Sequence, residues 1–124
     1  MKMKRALTLV GSFVLLAATL QAADISGKWK AQFQGGDSTR ELGFDFKVQG
    51  ENLTGTVSGL RDKVVEIKDG KVQGDTVTFS VMSEWQGEPI KLVYKGQVSG
   101  NEIRFTMGTE DGGWSTEVTA KRVS

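Results

Sequence analysis

The sequence Lys-Val-Gln-Gly-Glu-Asn-Leu at residues 47–53 is the first of three copies of one pattern. The second copy is Lys-Val-Gln-Gly-Asp-Thr-Val at residues 71–77, and the third is Gln-Val-Ser-Gly-Asn-Glu-Ile at residues 97–103. The glycines of successive copies stand 24 and 26 residues apart, which fits a repeat of two strands and two turns. Glycine followed by Glu, Asp or Asn between alternating apolar runs predicts a β-hairpin with a type II′ turn, in which only the first turn residue has a positive φ. The three copies therefore predict three hairpins.

Each predicted turn also fixes which residues face one another across its hairpin. The three registers give three facing pairs of phenylalanine and glycine: Phe46 with Gly55, Phe79 with Gly70, and Phe105 with Gly96. An aromatic ring over a cross-strand glycine is typical of a sheet that curls, because glycine permits the bend and the ring covers the bare backbone. The repeated pairing favours a closed, strongly curved sheet.

Alternating apolar residues extend this pattern along the chain from residue 25 onwards. They predict eight strands, at residues 25–33, 42–48, 53–58, 64–72, 77–81, 90–98, 102–107 and 114–123. A break in the alternation at Asp69 and Gly70 predicts a β-bulge in the fourth strand. The fold prediction is all-β, an eight-stranded antiparallel up-and-down barrel, with a β-sandwich as the alternative. The three tight turns would lie at one end, and four longer loops near residues 36, 60, 86 and 110 at the other.

The N-terminus has the three-part layout of a secretory signal peptide. Three basic residues among the first five are followed by an uncharged run over residues 6–20 and then by Gln21, Ala22 and Ala23. We predict a helical signal peptide over residues 1–23, cleaved after Ala22 or Ala23, and a β-barrel domain over residues 24–124. An uncleaved anchor is the alternative, although the apolar run is short for a membrane span. The expected location is the periplasm or the outside of the cell.

The amino-acid composition argues against several classes of function. Without its three N-terminal basic residues the chain keeps 13 Lys and Arg against 15 Asp and Glu, so its net charge of −2 argues against nucleic acid as a partner. The chain has no His and no Cys, which excludes Ser-His and Cys-His nucleophiles and the usual zinc and copper sites. No disulfide can form.

Acidic residues are candidates for two further kinds of chemistry, glycoside hydrolysis and calcium binding. Glu84 with Glu88, and Glu110 with Asp111, are carboxylate pairs of the kind that a glycosidase uses, but acidic loop residues are far more often solvated surface. Asp37, Glu110 and Asp111 lie among glycines without the regular spacing of a calcium loop. We therefore predict a protein that is not an enzyme and has no cofactor or metal.

The residues Gly27-Lys28-Trp29 on the first strand and Arg122 on the last resemble the calycins, which include lipocalins, fatty-acid-binding proteins and avidins. In those families a Gly-x-Trp strand meets a basic residue that packs over the Trp ring at the closed end of the barrel. Leu53-Thr54-Gly55-Thr56 also looks like the third strand of avidins. The resemblance implies a calycin-like barrel in which Gly27, Trp29 and Arg122 close the sheet. It implies no particular ligand, since the biotin-binding residues of avidins have no counterparts here.

Aromatic side chains supply the candidate binding residues. Those predicted to project to the interior are Phe33, Phe44, Phe46, Phe79, Tyr94 and Phe105. Core packing is their expected role, because an eight-stranded barrel is just wide enough for side chains to fill; the alternative is a small pocket near the wide end for an apolar or aromatic molecule. Trp85 and Trp114 are predicted at that rim, where they would stack on a sugar ring or, as we favour, fold over the mouth as lids.

These observations lead to three functional predictions. The first is an exported, non-enzymatic β-barrel module that binds a small apolar or aromatic ligand in or at the mouth of the barrel. The second is a structural or interaction domain with a filled interior, and the third is a module that contacts a glycan through Trp85 and Trp114. Packing among the interior rings decides between the first two.

Overall fold

The chain forms an all-β domain in a computed structural model that describes residues 22–35, 38–60 and 63–124. The strands in these residues are β1 (Gly27–Gly35), β2 (Ser38–Gln49), β3 (Asn52–Leu60), β4 (Lys63–Glu66), β5 (Lys68–Gln73), β6 (Thr76–Trp85), β7 (Glu88–Ser99), β8 (Glu102–Thr109) and β9 (Ser115–Arg122). Ile67 separates β4 from β5, and the two are halves of one barrel strand. None of the described residues belongs to a helix of the length and apolar character needed to cross a bilayer.

The sheet closes on itself. Sequential strands pair antiparallel around the molecule, and β1 pairs with both β2 and β9. At the closing contact, Trp29 faces Arg122 and Ala31 faces Ala120. The predicted eight-stranded antiparallel barrel is therefore confirmed, and the sandwich alternative is wrong.

The three repeated hairpins form in the predicted registers at one end of the barrel, which we call the tight-turn end. Val48 faces Leu53, Val72 faces Val77, and Val98 faces Ile103. The turn glycines Gly50, Gly74 and Gly100 have φ of 62°, 60° and 62°, and the residues that follow them do not have a positive φ. This is the predicted type II′ conformation.

Two of the three predicted phenylalanine–glycine pairs are direct register partners. Phe46 faces Gly55, and Phe105 faces Gly96. The third is altered by the bulge, which lies where it was predicted. Register partners step from Lys68 with Ser80 to Lys71 with Thr78, so Asp69 and Gly70 together oppose Phe79, and Asp69 takes a φ of 52°. The bulge thus bends the strand at this position instead of giving a simple pair.

The other end of the barrel, which we call the rim, has shorter connections than expected. β6 extends to Trp85 and β7 begins at Glu88, so the longer loop predicted near residue 86 is wrong and only Gln86 and Gly87 form the turn. Gly35 faces Ser38, and Leu60 faces Lys63, which leaves two residues in each of those connections. Residues 110–114 form the longer loop predicted between the last two strands.

The tight-turn end is covered by the residues before β1. The backbone leaves the sheet before Gly27, so Ile25 lies outside the strand predicted for it and is buried, with 1% of its surface exposed. Its carbonyl accepts a hydrogen bond from Trp29 Nε1 at 2.9 Å. Ala22 and Ala23 also pack on the core, and the Ala23 amide donates to the Gly74 carbonyl at 2.9 Å. The rest of the predicted signal peptide lies outside the described residues.

The predicted contact between Trp29 and Arg122 is present at this end. Arg122 Cζ lies 4.6 Å from the Trp29 ring centroid, within the range of a cation–π interaction. The guanidinium also donates to the Ser26 carbonyl at 2.8 Å, to the Asp24 carbonyl at 3.1 Å and to Asn101 Oδ1 at 3.2 Å. Arg122 therefore joins the last strand to the first strand and to the segment that precedes it.

Candidate functional site

Five of the six predicted interior aromatic residues form one buried cluster. These five are Phe44, Phe46, Phe79, Tyr94 and Phe105, each with at most 3% of its surface exposed. Neighbouring ring centroids lie 4.6 to 6.5 Å apart, in stacked, tilted and edge-to-face arrangements. Each such pair adds roughly 0.5–1.5 kcal/mol beyond the burial of its apolar surface. The rings therefore pack against one another and fill the centre of the barrel at their level.

The Tyr94 hydroxyl is the polar atom of this cluster. Tyr94 is fully buried, and its hydroxyl has no hydrogen-bond partner among the described residues. Its ring stacks on Phe79 with a centroid distance of 4.6 Å. Burial raises the pKa of Tyr94 above its ordinary value of 10.0, because the phenolate would lose its hydration in this apolar site.

Phe33, the sixth predicted interior residue, lies nearer the rim. It is partly buried, packs on the core, and faces the exposed Arg40 across β1 and β2. The sequence therefore predicted its face of the sheet correctly but not its position at the edge of the core.

Trp85 is the last residue of β6, at the tip of the β6–β7 hairpin. It faces Glu88, and 61% of its surface is exposed. Gln86 and Gly87 have φ of 53° and 82°, the pair of positive values that defines a type I′ turn. This turn carries the indole beyond the barrel wall instead of folding it inward.

Trp114 is presented by the ordered loop before β9, and 46% of its surface is exposed. Its amide donates to Thr109 Oγ1 at 3.1 Å, and its carbonyl accepts from the Thr109 amide at 2.9 Å. Asp111 Oδ1 accepts from Thr109 Oγ1 and from the Gly113 amide, both at 2.8 Å. Both hydrogen bonds lower the pKa of Asp111, and the bond from the Gly113 amide has the larger effect. The interpretation of Trp85 and Trp114 as lids folded over the mouth is wrong, because both indoles are exposed.

The backbones of Trp85 and Trp114 lie at different levels on the rim. Trp85 pairs with Glu88 of β7. Trp114 lies at the level of Leu92 of β7, because its carbonyl accepts from the Thr109 amide, and Thr109 is the register partner of Leu92. Four residues of strand separate these levels, about 13 Å along the strand direction. Lys91 lies between them and donates to Glu110 Oε2 at 3.1 Å, which links the Trp114 loop to β7.

Three of the carboxylates considered for catalysis or metal binding, those of Glu84, Glu110 and Asp111, have other partners. Glu84 pairs with Lys63 at 3.7 Å, and Glu110 pairs with Lys91 at 3.1 Å. Asp111 accepts hydrogen bonds from Thr109 and Gly113 of its own loop. Within residues 22–35, 38–60 and 63–124, no group of three or more Asp or Glu side chains is placed to hold a metal ion. Asp37 lies outside the described residues.

One feature of this end was not expected from the sequence. A groove of about 290 Å³ lies beside the rim between β4 and β6. Its lining consists of Leu60, Lys63, Val65, Met82, Ser83, Glu84 and Pro89. The bulge predicted at Asp69 and Gly70 was its one sequence signal, because a bulge changes the direction of the strand.

Compared with known proteins, the chain matches no model of a protein family, no curated protein and no solved structure.

Proposed function

We propose that this protein is a non-enzymatic module that binds carbohydrate at the rim of a filled barrel. The observation that carries the proposal is the exposure of two indoles, Trp85 at 61% and Trp114 at 46%, at the same end of the molecule. An indole has a large, rigid apolar face that stacks on the apolar face of a sugar ring at little cost in side-chain entropy. Large exposed apolar side chains of this kind mark interaction sites when they occur together.

Polar residues of the same hairpin and loop as the two tryptophans suit the hydroxyls of a sugar. Glu88 faces Trp85 across the hairpin, and the Lys91–Glu110 pair lies between the levels of the two indoles. Carboxylate and ammonium groups accept and donate the charge-assisted hydrogen bonds that hydroxyls make. Because the backbone levels of Trp85 and Trp114 are about 13 Å apart along the strand direction, we expect the ligand to be a chain of several sugar units and not a monosaccharide.

The packed aromatic cluster supports a rim site over an interior site. The five rings occupy the space in which a small apolar ligand would lie, and such a ligand would have to displace them. The resemblance of Gly27, Trp29 and Arg122 to the closed end of calycins supports a binding role at the opposite, open end. The ion pairs of Glu84 with Lys63 and of Glu110 with Lys91 support the non-enzymatic part of the proposal, since these carboxylates already have partners within the barrel.

Ring packing also favours one competing function, a structural or interaction domain with a filled interior. This alternative predicts that the rim indoles contribute nothing to carbohydrate binding. The two functions therefore differ in one measurable quantity, the affinity for soluble polysaccharide.

Affinity gel electrophoresis tests the proposal. The protein is run through native gels that contain a soluble β-glucan, a soluble xylan or a soluble mannan, and we expect at least one of them to retard it. Trp85→Ala and Trp114→Ala should each weaken the retardation about tenfold, equivalent to about 1.4 kcal/mol. Val123→Ala is the matched control, because Val123 is 54% exposed at the opposite end. Unchanged mobility of the wild type in all three gels would support the structural alternative instead.

The proposal also includes the cellular location of the protein. We expect export to a periplasmic or extracellular space, with the signal peptide removed after Ala22 or Ala23. Mass spectrometry of the protein from the culture medium or periplasm measures this directly, and a full-length mass in the cytoplasm would contradict it.

A further inference from the structure

Residues 23–26, which we call the strap, cross the tight-turn end of the barrel just before β1. At the first residue of the strap, the Ala23 amide donates to the Gly74 carbonyl in the turn between β5 and β6, at 2.9 Å. At the last residue, Ser26 Oγ accepts from the Val48 amide of β2 at 3.0 Å. The two ends of the strap are therefore bonded to two of the three repeated hairpins.

Arg122 connects the strap to the third repeated hairpin. Its guanidinium donates to two strap carbonyls, at 2.8 and 3.1 Å, and to Asn101 Oδ1 in the turn between β7 and β8 at 3.2 Å. Between these two carbonyls lies Ile25, whose side chain is buried and whose own carbonyl accepts from Trp29 Nε1 at 2.9 Å. The strap therefore leaves the barrel only when several hydrogen bonds and a buried apolar contact are broken together.

The peptide bond between Ala22 and Ala23, one of the two expected cleavage positions, lies at the start of the strap. The nitrogen of this bond is the Ala23 amide that donates to the Gly74 carbonyl. Both alanines are partly buried and pack on the core. A peptidase binds its substrate as an extended segment through the backbone donors and acceptors on both sides of the cut. Because the strap already uses these groups, the folded barrel does not offer this bond to a peptidase.

The strap also distinguishes the two expected cleavage positions. The residue pattern does not, because small residues are favoured at the last and third-last positions before the cut, and neither Leu20 nor Gln21 is small. Cleavage after Ala23 would remove the residue that donates to Gly74 and packs on the core. Cleavage after Ala22 instead leaves the same nitrogen in place as a terminal ammonium group, whose charge strengthens a hydrogen bond to a carbonyl.

We propose that the chain is cut between Ala22 and Ala23, and that the cut is made before the strap closes the tight-turn end. A peptidase adds water across this bond: the C–N bond breaks, Ala22 leaves as a carboxylate, and Ala23 keeps the nitrogen as an ammonium group. The ammonium group then donates to the Gly74 carbonyl and holds the mature N-terminus on the barrel. This inference rests on the export that the proposed function includes, and it is independent of the proposed sugar site.

Hydrogen exchange in the full-length folded protein tests whether the bond is closed. Because the Ala23 amide donates to the Gly74 carbonyl, NMR should show it exchanging at least about tenfold more slowly than the same amide in the urea-unfolded chain. Exchange at the rate of the unfolded chain would show that the strap does not hold this amide, and would overturn the proposal.

Cleavage of the full-length chain by purified signal peptidase in detergent micelles tests the order of events and the position of the cut. One sample is folded before the peptidase is added, and the other is diluted from urea directly into the peptidase. We expect the diluted sample to be cut at least about tenfold faster, and N-terminal sequencing of the product to begin at Ala23.

The outcomes separate this inference from the export on which it rests. Equal rates for the two samples would overturn the order of events, and a product that begins at Asp24 would overturn the position; both results leave export intact. No cleavage of either sample would contradict the processing site and the proposed export together.

A substitution in the strap shows whether its contacts protect the bond. Ser26→Ala removes the acceptor of the Val48 amide, so the folded variant should be cut about fivefold faster than the folded wild type, equivalent to about 1 kcal/mol. Ser99→Ala is the matched control, since Ser99 is exposed on β7 at the same end, and its rate should stay within about twofold of the wild type. Circular dichroism verifies that both variants fold. Equal rates for the two variants would overturn the role of the strap.

Discussion

The Arg122 guanidinium lies over the Trp29 ring, with Cζ 4.6 Å from the ring centroid, and thereby holds the last strand against the first. The same side chain donates hydrogen bonds to the backbone carbonyls of Asp24 and Ser26. Closure of the barrel therefore depends on one side chain as well as on the short β1–β9 ladder. The contribution of this side chain to the free energy of unfolding can be measured.

We expect Arg122→Ala to lower the free energy of unfolding by about 2–3 kcal/mol, because it removes the cation–π contact and charged hydrogen bonds. Arg122→Lys keeps the charge but not the planar fork of donors, and should cost about 1 kcal/mol or more. Urea unfolding followed by tryptophan fluorescence measures both values. Lys121→Ala is the control, since its side chain is 72% exposed, and it should change stability by less than about 0.5 kcal/mol. Equal stabilities of Arg122→Ala and Lys121→Ala would contradict this account of closure.

The pairing of Phe105 with Gly96 gives a second prediction. A Cβ atom added at Gly96 would lie 2.6 Å from Phe105 Cδ1 and 2.8 Å from Ile103 Cγ2, so Gly96→Ala should cost about 1–3 kcal/mol through overpacking. Phe105→Leu removes the ring edge and should recover part of that loss. A double-mutant cycle measures the coupling, for which we expect at least about 0.5 kcal/mol. Strict additivity of the two substitutions would show that the ring does not cover the glycine.

Tyr94→Phe should leave the protein at least as stable as the wild type. The Tyr94 hydroxyl is buried without a hydrogen-bond partner among the described residues, so its removal relieves a desolvation penalty and breaks no bond. A loss of more than about 1 kcal/mol would show instead that the hydroxyl is hydrogen-bonded in solution. Urea unfolding near neutral pH gives the comparison.

Alkaline pH provides an independent check on the same residue. Because burial raises the pKa of Tyr94 in the folded protein above the unfolded value near 10.0, its contribution to stability is fully present below pH 10 and is lost as the pH rises towards the folded pKa. Wild-type stability should therefore fall more steeply above pH 10 than that of Tyr94→Phe. Tyr94 is the one tyrosine in the chain, so tyrosinate absorbance reports on it alone. Titration of the folded protein at pH 10 would contradict the burial.

The glycines of the three tight turns explain why the fold could be predicted from the sequence. A two-residue turn at Gly50 leaves one register for β2 and β3, and a strand period of two then assigns every inward residue. The same logic applied to all three turn glycines placed five of the six interior aromatic residues in the buried core. These predictions are local, and tertiary structure did not alter them.

The rim could not be predicted in the same way. Gln86 takes a positive φ that is uncommon for a residue other than glycine, asparagine or aspartate, so the polar segment around it was interpreted as a loop. The groove beside the rim depends on the arrangement of β4 and β6, which are not consecutive in sequence. Exposure of Trp85 and Trp114 likewise depends on how far each connection extends beyond the wall. Local patterns carry none of this information.

The loop that presents Trp114 should depend on the charge of Asp111. Hydrogen bonds from the Gly113 amide and Thr109 Oγ1 lower the pKa of this carboxylate below 3.8 in the folded protein, so the loop is held above that value and released as the pH falls through the folded pKa. NMR titration of the Gly113 amide should show a midpoint below pH 3.8. Asp111→Asn should remove this transition and, under the proposed function, weaken retardation by polysaccharide, whereas Glu117→Gln on the outer face of β9 should change neither. A midpoint at or above pH 3.8 would show that the Asp111 carboxylate does not hold the loop that carries the second indole.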